Sequence, residues 1–462
     1  MQHSETVSMA TGSLWKKIIA FSVPLMLTSI LQLLYNTADT IVVGKFVNAS
    51  ALAAVGSTGS LINLLVGVFT GISVGANFWV ARDFGAKDYK SLDKTLHCAV
   101  ATSILLGLLA GVAGFLFAKP MLELMDTPED VLPQADIYLQ IYFIGVPAMM
   151  IYNFAAAILR AMGETKYPLT IMIISGAVNV VLNVVLVTAV KLGVAGVAVA
   201  TTVSQCLSMV LVLRKLMRFE GPVQLKLRAI RLYKDKFFRI LGVGISAGIQ
   251  SAVFSISNVM IQSKVNSFLS AAMAGNSAAS SLEGFIYVSQ NAFFQAAVTC
   301  TSQNLGAGRY DRLRKTFFIC LVYSALIGGV LCGLLVLLQR PLLSLYISKT
   351  DPDLEAVLRV AALRISVISC WQWVCGLMEI SNGFLRGLGQ TWVPTLVTLL
   401  GACGLRLVWI YTVFAQYGTL ESLYISYPLS WLVTFLVATV CFIPILRRLE
   451  KRPMAEPVLA AE

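Results

Sequence analysis

The feature that most restricts this chain is a series of twelve long apolar runs. They fall at roughly 15–43, 51–80, 96–118, 137–158, 168–190, 193–213, 238–264, 270–300, 316–338, 358–383, 392–414 and 424–446. A helix rises 1.5 Å per residue, so about 20 such residues cross the hydrocarbon core of a bilayer. In lipid, backbone N–H and C=O groups must be paired within the segment or around a closed barrel. Runs of this length predict an all-α membrane protein of twelve transmembrane helices. Only 13% of the residues are charged, against about 25% in a soluble chain.

Lysine and arginine set the expected orientation, because they accumulate on the cytoplasmic side. Lys16 and Lys17 precede the first run, and Arg82, Lys87, Lys90 and Lys94 lie in the second loop. Arg160 and Lys166 lie in the fourth, and Arg309, Arg312, Arg314 and Lys315 in the eighth. The segment from Arg214 to Arg239 holds nine basic residues and two acidic ones. Alternate loops hold acids instead: Glu123, Asp126, Glu129 and Asp130, then Asp351, Asp353 and Glu355. Both termini are therefore expected in the cytoplasm, with the chain multi-pass in a plasma membrane of bacterial inner-membrane type. The net charge of +12 follows from these loops and their anionic lipid neighbours, with no nucleic acid needed. Residues 1–13 are polar and lack a basic stretch and a small-residue cleavage site, so no secretory leader is expected. The nine cysteines contain no Cys-x-x-Cys pair and lie mostly in apolar runs, where they read as packing residues. With only His3 and His97, a histidine metal or nucleophile site is not expected, and no cofactor is implied.

The basic segment divides six runs from six, and the halves repeat. FGAKDYKSLDKT (84–95) aligns with LGAGRYDRLRKT (305–316), an offset of 221. LRAMGETKYP (159–168) aligns with LRGLGQTWVP (385–394), an offset of 226. Six is even, so both halves enter the membrane in the same sense, as in parallel-repeat transporters. The expected organisation is an N-terminal tail 1–13, a six-helix lobe 14–213, a linker 214–237, a second lobe 238–446 and a tail 447–462. Gly85-Ala86 and Gly306-Ala307 are expected to close helices, and Arg160 and Arg386 to anchor helix ends at the headgroups.

Three acids, Asp39, Glu283 and Glu379, sit well inside apolar runs. A carboxylate within a span costs at least roughly 2.5–3.5 kcal/mol, which makes function the default reading. Gln32, Tyr35, Asn36 and Asp39 share one helical face. Counted from the outer surface at 1.5 Å per residue, Asp39 lies at about 6–9 Å, Asn183 and Thr201 at about 12 Å, and Asn179 at about 18 Å. Polar faces of the first, fifth and sixth helices thus reach similar depths, which marks a candidate cation or proton site. Isolated Asn or Thr residues more often serve as interhelical glue. Among the basic residues only Lys45, near the membrane edge, is a candidate neutraliser of Asp39. Desolvation makes its charged form costly, so Asp39 is a group able to take up a proton. Gln32, Tyr35, Asn153, Glu283 and Glu379 are candidate cleft residues; Glu283 and Glu379 can equally pair with Arg364 or Arg406. Pro24 interrupts the first helix and is a candidate hinge. Aromatics such as Phe154, Phe293, Phe294 and Trp373 are candidate pocket walls, although packing is their commoner role.

PLMLTSILQLLYNTADTIVVG at 24–44, ALAAVG at 51–56, the paired FGA/LGA and LRxxGxTxxP loops, and GVAGVAVAT at 193–201 together resemble the multidrug and toxic compound extrusion (MATE) family of secondary transporters. The resemblance implies export of organic cations or other amphiphilic compounds, driven by inward protons or Na+, by a non-enzymatic and monomeric carrier. It also implies an N-lobe ion site. Asp39 matches its helix 1 carboxylate, Asn179 its helix 5 asparagine and Thr201 its helix 6 threonine. The family's second acid is replaced here by Asn183, which weakens a Na+ site at Asp39, Asn179 and Thr201 and favours protons. A flippase for a lipid-linked substrate is the alternative; it calls for a basic cleft, whereas the spans hold mainly Lys264, Arg364 and Arg406. An intramembrane enzyme lacks support, since no nucleophile–base pair or phosphate-cradling loop is found.

Overall fold

The computed structural model describes residues 8–47, 49–125, 127–129, 131–268, 270–344 and 354–451. The tail positions 1–7 and 452–462, and the loop acids Asp126, Asp130, Asp351 and Asp353, lie outside them, as does the Lys45 side chain. The described residues contain no β-strand. They form twelve long helices: α1 Leu14–Phe46, α2 Ala49–Gly85, α3 Tyr89–Leu124, α4 Leu132–Ala161, α5 Lys166–Ala189, α6 Gly193–Met217, α7 Lys234–Val265, α8 Ser270–Gly306, α9 Tyr310–Leu337, α10 Leu354–Gly387, α11 Val393–Tyr417 and α12 Leu420–Glu450. Eleven are long and apolar enough to span a membrane. The twelfth, α8, is 37 residues long but carries Asn276, Glu283, Gln290, Asn291 and Gln295. Outer faces such as Leu108, Leu109, Val112 and Leu116 on α3 are exposed apolar stripes, as a lipid-facing helix requires.

The repeated loops turn alike. α2 stops at Gly85 and α8 at Gly306, and the chain then passes through positive φ at Lys87 (55°) and its repeat partner Gly308 (66°). Gly163 (88°) and Gly389 (83°) do the same after α4 and α10. These backbone angles explain the glycines of the second motif. Repetition extends to helix irregularities. The π-helical turn Val185–Ala189 ends α5, and Ile410–Phe414 occupies the matching place in α11, which has a second such stretch at Leu399–Gly404.

The helices form two compact units. The first comprises Leu27–Gly248; the second comprises Met9–Met26 and the chain from Ile249 onward. In the first unit, α2 and the opening of α7 cross through facing Gly-x3-Gly pairs, Gly71/Gly75 and Gly244/Gly248. A Cβ on Gly75 would lie 2.2 Å from the Ile240 carbonyl oxygen, so only glycine permits this approach. One turn on, Trp79 Nε1 donates to the Arg239 carbonyl at 2.9 Å. Asp83 gathers Ser91 (2.8 Å), Thr95 (2.7 Å) and the ammonium of Lys236 (3.2 Å) at the start of α7. The basic segment is no free tether, since Phe219, Val223 and Leu225 are buried in this unit's core. His97 Nε2 accepts the Lys226 N–H at 3.0 Å.

The second unit holds the segment ahead of α1 in the corresponding way. The Met9 N–H donates to Gln303 Oε1 at 2.7 Å, and Arg312 donates to the Gly12 carbonyl at 2.8 Å. Tyr323 OH reaches the Trp15 carbonyl at 3.2 Å. Each unit thus grips the start of a first helix, at α7 and at α1, by the α2–α3 corner or its repeat.

Candidate functional site

α5 and α6 form a tight antiparallel pair. Three residues separate them; Lys191 and Gly193 take positive φ, and Leu192 N–H returns to the Leu186 carbonyl at 3.0 Å. The turn sets α5 against α6 so that Asn179 faces Thr201. Asn179 and Asn183 are one turn apart on α5, both buried, with Asn183 fully so. The Asn183 amide donates to Asp39 Oδ1 and, at 3.2 Å, to Asn179 Oδ1. Asn179 Nδ2 donates to Thr201 Oγ1 at 3.5 Å, which brings Thr201 into the same cluster. The four side chains form a ring-like cluster across α1, α5 and α6, linked from Asp39 through Asn183 and Asn179 to Thr201. No described cation pairs with Asp39. Asn183 Oδ1 is buried without a hydrogen-bond partner.

Apolar residues seal one side of this ring. Val42 and Val43 follow Asp39 on α1, Val187 follows Asn183, and Val194, Val197 and Ala198 precede Thr201; all six are buried in one cluster with Tyr138 of α4. Such a lid lowers the local dielectric and strengthens every interaction of the carboxylate. Tyr138 also stacks on Tyr142 at 6.5 Å; neither tyrosine stood out in the sequence. Their place one turn apart on α4 was the available signal. On α1, Tyr35 lies against Gly176, where a Cβ would come within 1.8 Å of its ring. Gln32 and Asn36 are exposed on the same helix.

The MatE family profile matches residues 24–185 and 246–412, two stretches of which the first contains Asp39, Asn179 and Asn183. The chain belongs to the MATE family. The probable multidrug resistance protein YoeA of Bacillus subtilis (strain 168) is 27% identical over 435 residues, covering 92% of each chain. YpnP of the same organism, also a probable multidrug resistance protein, is 27% identical over 82% of this chain and 83% of its own. A crystal structure of MATE in complex with MaL6 superposes with a TM-score of 0.90 at 19% identity, over 97% of this chain and all of that one, which establishes the shared fold.

The other predicted positions of this MATE protein fall elsewhere. Glu283 is not a lone acid. Arg364 grips it with Nε (3.2 Å) and Nη2 (2.7 Å), and Ser369 donates at 3.0 Å. Arg364 Nη1 also reaches Asn276 Oδ1 at 2.6 Å, which accepts from Tyr424 OH at 3.0 Å. The pairing of a carboxylate with a bidentate guanidinium explains Glu283 structurally. Glu379 is buried on α10 with no hydrogen bond or close ion pair among the described residues; Arg386, two turns on, is its charged neighbour. Arg386 is no headgroup anchor. It is 3% exposed and bonds Gln250 and, at 3.5 Å, Thr395. Asn153 makes no side-chain hydrogen bond among the described residues, and Phe154, Phe293 and Phe294 are packed in the interior. Pro24 lies inside an unbroken α1, two residues before the point where the helix passes from the second unit to the first.

Proposed function

We propose that this protein is a secondary active antiporter that exports organic cations or other amphiphilic, drug-like compounds in exchange for inward protons. The observation that supports it best is the ring around Asp39. One carboxylate with no described counter-cation sits among neutral donors and acceptors, under an apolar lid. Such a group binds either a proton or a cation, and exchange transport needs that choice. Proton coupling is favoured because Asn183 turns its N–H towards Asp39, leaving its oxygen aside. A Na+ ion instead wants several oxygens aimed at one point, as hard cations generally do. The unpartnered Asn183 Oδ1 gives the Na+ reading its one support, since an amide turned over would present that oxygen.

In this reading the lobes 14–213 and 238–446 move by alternating access, joined by 214–237, with Pro24 letting α1 bend as Asp39 changes charge. The termini lie in the cytoplasm of a bacterial plasma membrane, and the carrier acts as a monomer. The names of the relatives, probable multidrug resistance proteins, point the same way. The test is Asp39→Asn in cells or vesicles loaded with a cationic dye such as ethidium. Loss of energised efflux with folding intact is the expected result; wild-type efflux would overturn the coupling role of Asp39.

A further inference from the structure

The repeat puts unlike residues at matching places in the two halves. The offset of 226 that carries Arg160 onto Arg386 also carries Tyr138 onto Arg364, Thr201 onto Tyr427 and Gln205 onto Trp431. Arg406 falls one residue beyond the counterpart of Asn179. The first unit holds the carboxylate Asp39 within its helices, and the second holds the buried guanidiniums of Arg364 and Arg406.

The two arginines are not equally satisfied. Arg364 has Glu283 and Asn276. Arg406 is 0% exposed; its Nε donates to Ser430 Oγ at 2.9 Å and its Nη1 to Asn258 Oδ1 at 3.1 Å. Its Nη2 finds no acceptor among the described residues, nor does the indole Nε1 of Trp431, which is 4% exposed. The rings of Tyr427, Phe254 and Trp431 stand 4.3, 5.3 and 5.8 Å from the Arg406 Cζ. Tyr427 is shared, since its ring is also 5.6 Å from Arg364.

No carboxylate forms an ion pair with Arg406 among the described residues. The buried acids described in this unit are Glu283, held by Arg364, and Glu379, which lies two turns from Arg386 and makes no ion pair. A guanidinium keeps its proton in proteins, so burial cannot neutralise it and the balance has to come from an anion. Arg406 also sits on a five-residue α-helical piece, Leu405–Trp409, between the π-helical stretches Leu399–Gly404 and Ile410–Phe414. Such turns recur at functional sites, because they break the regular ladder.

We propose that Arg406 and Trp431 form a binding site for an organic anion, a carboxylate or sulfonate on an apolar body. Its oxygens take the free Nη2–H and Nε1–H donors, and the rings of Phe254, Tyr427 and Trp431 hold the body. The site lies wholly within the second unit, and its occupancy is measured without transport, so its failure leaves the efflux reading untouched.

The test is calorimetric titration of the full-length protein in lipid nanodiscs. Benzoate is the organic probe, chloride the inorganic one, and benzyl alcohol the neutral control of the same shape. The expected result is saturable benzoate binding, weakened at least tenfold by Arg406→Gln and several-fold by Trp431→Phe, with benzyl alcohol insensitive to either change. Trp431→Phe keeps the ring and removes only the N–H, so it serves if Arg406→Gln does not fold. Benzoate binding unchanged in these variants, no saturable benzoate binding, or binding of chloride alone would each overturn the assignment.

Discussion

At the scale of single residues, two acids within apolar helices have different fates. Glu283 is paired with Arg364, whereas the described partners of Asp39 are neutral groups. Their variants should therefore differ in kind. Glu283→Gln leaves the Arg364 charge buried and uncompensated, a change that costs about 3–5 kcal/mol. The expected outcome is a large fall in the thermal unfolding midpoint of the purified protein, with any remaining folded fraction still ion-coupled. Asp39→Asn keeps the shape and the hydrogen-bonding reach of the ring, so stability should hold while coupling is lost. Asn183→Asp restores a second acid beside Asp39; efflux should then gain dependence on Na+, measured as stimulation by a Na+ gradient in the variant over wild type. The sequence made Asp39, Asn179, Asn183 and Thr201 legible because each is a polar residue in an apolar run at a matching depth. It left Glu283 open between pairing and function. Its partner Arg364 lies 81 residues away, and helical spacing says nothing about pairs across different helices.

Among elements, the crossing of α2 and α7 shows how small residues set geometry in a membrane, where packing rather than water drives association. Gly75 cannot accept a side chain without moving the α7 backbone, whereas a Cβ on Gly59 meets nothing within 4 Å. Gly75→Leu should destabilise by about 1–3 kcal/mol or more through overpacking, while Gly59→Ala should be close to neutral. Thermal unfolding of the two variants side by side checks this. Pro24 belongs to this scale as well. Removing the proline restores a backbone hydrogen bond and stiffens α1. Pro24→Ala should lower dye turnover with substrate affinity retained, and unchanged turnover would remove the hinge. Helix extents were readable from apolar length and from the glycines of the repeated loops. The burial of Arg386 was not, because a basic residue at the end of an apolar run reads as a headgroup contact. Only tertiary packing shows Gln250 and Thr395 waiting for it.

For the whole molecule, twelve helices in two repeated halves give one fold two unlike interiors. The first half holds a carboxylate with no described counter-cation beside a valine cluster, and the second encloses, among aromatic rings, a guanidinium with no described counter-anion. The repeat itself was plain in the loops, where backbone angles force the same glycines twice. The divergence of the interiors was hidden, because Thr201 and Tyr427 occupy equivalent places with no shared chemistry. The central claim is that Asp39 couples export to protons, and proteoliposomes loaded with ethidium test it most directly. An imposed inward proton gradient should drive efflux from wild-type vesicles and not from Asp39→Asn vesicles, with an equal Na+ gradient at constant pH driving little. Efflux that follows the Na+ gradient alone, or that persists undiminished in Asp39→Asn, would contradict the account.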